Sequence, residues 1–95
     1  MASIRRGSSR QVLAARAELV LAILEACEEE GEDIPLASLL ENVARLRPHL
    51  ASLARQLAAR YGPLPPRVAI AKMARDPTWQ RAVREASSAY LSGPR

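Results

Sequence analysis

His49, Ser52, Gln56 and Arg60 recur at three- and four-residue intervals, the spacing of one stripe on a helix. Glutamine and arginine side chains match the hydrogen-bonding edges of bases, and serine and histidine can serve a base or a phosphate. Arg45 and Arg47 stand just before the stripe and Arg55 on its flank, where guanidinium groups can hold a phosphate backbone in register. The chemistry this pattern offers is recognition of a nucleic acid, DNA rather than RNA. A helix start at Pro48 adds backbone N–H groups that favour phosphate.

Catalysis finds little material. His49 is the only histidine. It has Ser52 one helical turn away, but no orienting acid completes a triad. Glu28, Glu29 and Glu30 form a charge run at a helix end, not two carboxylates across a cleft. No glycine-rich phosphate loop is present. One histidine and one cysteine are too few for a metal centre, so neither enzymatic activity nor a cofactor is expected.

The stripe needs elements to position it. Alanine and leucine dominate the apolar residues, phenylalanine is absent, and no alternating β-branched run suggests a strand. The expected fold is all-α, a compact bundle of about five short helices. Residues 1–8 look like a flexible basic arm containing Arg5 and Arg6. Residues 9–92 form a single helical domain and 93–95 a tail. Ser8 or Ser9 caps the first helix, which stops at Gly31. The acids 28–30 oppose the helix dipole at that end, so a basic group from the arm or a partner is expected against them. Asp33 is the expected cap of a second helix, with Leu36, Leu39, Leu40, Val43 and Leu46 inward. Pro48 breaks that helix and opens a third, with Leu50, Leu53, Ala54, Leu57 and Tyr61 inward. A fourth helix over about 66–74 is expected to turn Val68 and Ala71 inward, with Ile70 and Met73 as further candidates. Asp76-Pro77 begins a fifth, with Trp79, Ala82, Val83, Ala86 and Tyr90 on its inner face.

The run PLASLLENVARLRPHLASLARQLAARYG resembles the core of helix-turn-helix and winged-helix DNA-binding domains. The resemblance covers residues 17–62. It implies that the helix from Pro35 to Leu46 crosses the backbone while the one from Pro48 to Tyr61 enters the major groove. By position it implies base or phosphate contacts for His49, Ser52, Gln56 and Arg60. The turn Arg45-Leu46-Arg47 holds no glycine and no strand pair follows Gly62, so the expected variant is purely helical.

Ninety-five residues make one domain, with a net charge of +4. Glu18 to Asp33 carries seven acids and no base, flanked by basic stretches. An acidic face and a basic face suit an oriented contact with a polyanion. Arg67, Lys72, Arg75, Arg81 and Arg84 form a second basic set, a further phosphate surface or the rim of a protein interface. Cys27 stands alone, which points to a reducing, cytoplasmic setting and a buried thiol. Neither a signal peptide nor a membrane span is expected. The expectation is a small DNA-binding regulator or architectural protein, homodimeric so that two recognition helices lie about one DNA turn apart. The alternative is a structural subunit of a larger assembly, such as a ribonucleoprotein, a viral nucleoprotein or a filament.

Overall fold

In the computed structural model the backbone is described for residues 2–31 and 33–93, and side chains for 10–31 and 33–93. The chain is all-α. It runs α1 (Ala2–Glu30), α2 (Leu36–Leu46), a 3₁₀ turn (Pro48–Leu50), α3 (Ala51–Tyr61), α4 (Pro66–Met73) and α5 (Gln80–Ser92). The first helix is not short. It begins at Ala2, so Ser8 and Ser9 lie within it rather than at its start. The side chains of Arg5 and Arg6, and the end of the tail, lie outside the described residues.

α1 is the axle. Leu19, Val20 and Ile23 on its central turns are fully buried. α5 makes the broadest contact with α1, and α2 and α3 pack chiefly on each other. Leu36, Leu39, Leu40 and Val43 supply the inner face of α2; Leu50, Ala54 and Leu57 answer from the 3₁₀ turn and α3. Ala69 and Met73 of α4 close one side, and Trp79, Ala82, Val83 and Ala86 the other. Alanine at so many contacts lets helices approach closely, so the core fills without phenylalanine.

Pro48 marks a true break. Arg47 leaves the helical region at φ −130°, ψ 77°, as a residue before proline must, and the 3₁₀ turn reorients the chain into α3. Gly31 ends α1 at φ +88°, a conformation that favours glycine, and its N–H donates to the Cys27 carbonyl at 2.9 Å.

Several sequence expectations fail, each for a physical reason. Asp33 does not cap α2. The first amides of α2, Leu36 N–H and Ala37 N–H, donate to the carbonyls of Leu64 and Gly62 at 2.8 and 3.0 Å. The loop after α3 therefore does the work of a side-chain cap. Gly62 is needed there because a Cβ would collide with the Ala58 carbonyl oxygen. Asp76 does not start α5. It holds a turn in which Thr78 N–H donates to its carboxylate and Trp79 and Gln80 N–H to its carbonyl, and the regular helix begins at Gln80. Leu46 is 77% exposed, because α2 ends there and no helix covers its last turn. Val68 and Ala71 are exposed as well; α4 buries Met73, as expected, with Ala69 one turn before it. Cys27 is half-buried rather than enclosed.

These burials predict a sharp contrast. Leu40→Ala should lose about 2–5 kcal/mol, as large-to-small core changes do, whereas Leu46→Ala should stay within about 0.5 kcal/mol of wild type. Urea unfolding followed by circular dichroism measures both. A Leu46 cost as large as that of Leu40 would show that its side chain is covered in solution.

Candidate nucleic-acid interface

α3 follows the bend at Arg47 and turns a polar face outward. Ser52, Arg55, Gln56, Ala59 and Arg60 are all exposed, on the side away from Ala54 and Leu57. Three members of the predicted stripe, Ser52, Gln56 and Arg60, share the outer face of α3, while His49 stands before it on the 3₁₀ turn. The two ends of the stripe and its middle are in different electrostatic states.

At the entry, Glu18 reaches over from α1. Arg47 Nη1 donates to Glu18 Oε2 at 3.1 Å, and His49 Nε2 lies 2.9 Å from Oε2 and 3.1 Å from Oε1. The His49 contact is an ion pair only when the imidazole is protonated. Partial burial pushes the Glu18 carboxyl up, but the hydrogen bonds and charges of His49 and Arg47 outweigh this and hold it below the usual range. Both basic groups keep solvent contact, His49 with 61% of its side chain exposed. Arg45 donates to the side-chain amide oxygen Oδ1 of Asn42, and Asn42 Nδ2 donates to Glu30 Oε2 at 2.8 Å. The group against Glu30 at the end of α1 is therefore a neutral amide, which relays to Arg45.

At the far end, Arg60 Nη1 lies 3.8 Å from Asp76 Oδ2, and Tyr61 Oη donates to the same oxygen at 2.9 Å. Asp76 is the hub of this corner, with its side chain 8% exposed. The Thr78 N–H hydrogen bond lowers its carboxyl most; burial opposes, and Tyr61 and Arg60 add to the lowering. Burial, followed by the hydrogen bond to Asp76 and that residue's charge, pushes the Tyr61 hydroxyl up, against a smaller opposing effect of Arg60.

Between these tethered ends, no side-chain hydrogen bond or ion pair engages Ser52, Arg55 or Gln56 among the described residues. From Asn42 to Arg75 the chain contains no acid, while Arg45, Arg47, Arg55, Arg60, Arg67, Lys72 and Arg75 fall within it. Arginines outnumber acids around α3: Glu41 of α2 lines one hollow with Arg55, and the other acids that reach the helix come from α1 and the α4–α5 turn.

The other predicted basic residues sit elsewhere. Arg81 and Arg84 are exposed on α5, and Lys72 and Arg75 on and just after α4. Trp79 is buried and does not offer a face for base stacking; Arg16 covers its ring with the guanidinium carbon 5.6 Å from the centroid and donates to the Thr78 carbonyl at 3.2 Å. Arg16, Glu18, Tyr61 and Asp76 escape a search for binding residues in the sequence. Arg16 leaves one signal: it stands four residues before Val20 and seven before Ile23, a charge on an otherwise apolar stripe.

No protein-family model, curated protein or solved structure matches the chain. Among the described residues no helix is long and apolar enough to cross a membrane, and no three His, Cys, Asp or Glu side chains gather as a metal site.

The two carboxylates carry a pH prediction. Both have folded pKa values below their unfolded ones, so their stabilisation is present above the ordinary carboxylate range and is lost as pH falls through the folded values. Wild type should lose stability on acidification below about pH 4. The double variant Glu18→Gln, Asp76→Asn should be less stable at neutral pH and have a flatter profile. Thermal melts across a pH series test this, and parallel profiles would mean that the contacts contribute nothing to folding.

Proposed function

We propose that this protein binds duplex DNA through the outer face of α3, without enzymatic activity, as a regulator or architectural factor. The observation that carries the proposal is the exposed set Ser52, Arg55 and Gln56, side by side on a helix within a run of sequence, residues 42–75, that contains seven basic residues and no acid. Gln56 presents an amide able to pair bidentately with adenine, Arg55 a guanidinium suited to guanine or phosphate, and Ser52 a short hydroxyl that tolerates either. The break at Pro48 supports the reading, because it lets α3 project separately from α2, as a recognition helix does.

The tethers refine the roles expected from the sequence. Arg47, His49 and Arg60 engage Glu18 and Asp76 in the free protein, so a phosphate has to compete with a carboxylate for them. Arg55 and Gln56 are open from the outset. The middle of the helix thus makes the first and most specific contacts, and its ends fix register afterwards.

Salt titrations on a fixed duplex test the proposal. Arg55→Ala should weaken every duplex alike and reduce the slope of log K against log salt by about one. Gln56→Ala should leave that slope in place and relax sequence preference. Absence of binding at low salt, or slopes identical in wild type and Arg55→Ala, removes α3 as the contact surface.

A further inference from the structure

Among the described residues, nothing covers the outer face of α4. Its inner side spends Ala69 and Met73 on the core, while Val68, Ala71, Lys72 and Arg75 recur at three- and four-residue spacing on the outside. Val68 is 42% exposed. The result is a small apolar ridge, Val68 and Ala71, that continues into two cations. On such a short helix an exposed valine beside two basic residues is the pattern of a docking element.

A groove of matching character lies between α1 and α2. Its floor is Ala22 and Ala26 of α1 with Val43 of α2, and one wall is the exposed Leu46. Glu25 and Glu29 line it as well, one helical turn apart, and the remaining lining groups are already engaged, Glu30 with Asn42 and Arg47 with Glu18. Among the described residues Glu25, Glu29, Lys72 and Arg75 take part in no ion pair. The two surfaces complement each other in three respects. A ridge of small and branched apolar groups faces a groove floored by alanines. An exposed leucine stands beside an exposed valine. Two acids four residues apart meet two bases three residues apart, spacings that bring both pairs to similar separations along a helix.

We propose that this protein self-associates head to tail, α4 of one copy seated in the α1–α2 groove of the next. The partner is a second copy of this chain, argued from this charge and apolar complementarity between two separate surfaces of the same molecule. The contact is heterologous: each copy offers one ridge and one groove, so association continues into a chain or closes into a ring instead of stopping at a two-fold dimer. A short helix in a groove covers less surface than a standard stable interface, so the association depends on concentration and salt. It uses none of Ser52, Arg55 or Gln56, the open middle of the proposed DNA surface, while Arg47, one of the groups proposed to fix register, lines the end of the groove.

Sedimentation velocity tests the proposal. Wild type at low salt should rise in mean mass with concentration and return to monomer at high salt. Two blocked copies separate this arrangement from any other. Leu46→Arg spoils only the groove, and Lys72→Glu with Arg75→Glu spoils only the ridge. Each should be monomeric alone. Mixed in equal amounts they should form a dimer and nothing larger, because one intact groove and one intact ridge remain. That rescue also shows that both variants fold, and Leu46→Ser and Val68→Ser repeat the test with milder changes. A wild type that stays monomeric at low salt overturns the proposal. So does either blocked copy that still associates by itself, or a mixture that stays monomeric. DNA binding by the blocked copies is measured separately, so loss of self-association and loss of the α3 surface are distinguishable.

Discussion

The proline at position 48 constrains the rest of this fold. It denies Arg47 a helical conformation, so α2 must end, and Leu50 turns into the core at full burial before α3 begins. Once α3 has reversed against α2, its exit loop lies over the start of α2. The carbonyls of Gly62 and Leu64 then receive the amides of Ala37 and Leu36. The bend and this cap are two ends of one arrangement, since a continuous helix would carry residues 62–64 far from residue 36. The α2–α3 pair is therefore a closed unit joined at both ends by backbone geometry, with leucines packed between.

Electrostatics follows from the same arrangement. The closed pair is predominantly basic, with Glu41 its one acid, and the elements around it bring further acids to its margins. Glu18 of α1 meets the start of α3, and Asp76 of the α4–α5 turn meets its end. Each acid satisfies groups that packing has brought together: Arg47 and His49 in one case, Tyr61, Arg60 and the Thr78 amide in the other. Charge is paired where helices join, whereas among the described residues no ion pair engages Arg55 at the centre of α3. That division makes the centre the surface best suited to a polyanion.

Much of the fold was legible in the sequence because it is written in local spacing. The leucines of α2, the proline break and the inner face of α3 need only helical periodicity and the geometry of proline. What was not legible depends on partners distant in the chain. The cap of α2 comes from carbonyls nearly thirty residues later, which no side-chain signal near Asp33 discloses. Leu46 continues the apolar pattern of α2 to its last residue, but the surface it would pack on ends first. In α4, Val68, Ala69, Ile70 and Ala71 are consecutive and apolar, so periodicity cannot choose a face; contact with the core selects Ala69. The candidate site divides the same way. Its exposed middle is visible as a stripe, whereas the tethers at its ends involve Glu18 and Asp76, set beside α3 only by folding.

The position of Trp79 has a spectroscopic consequence. It is the sole tryptophan, nearly buried at the head of α5, with the Arg16 guanidinium over its ring. Its emission therefore comes from one place, the junction of α1 and α5, and a cation held close to an indole alters that emission along with its exposure to water. Separation of α5 from α1 removes both effects together, while rearrangements confined to α2 and α3 leave them in place. The chain thus carries an intrinsic fluorophore that distinguishes loosening of its axle from events at the helix pair, with no label attached.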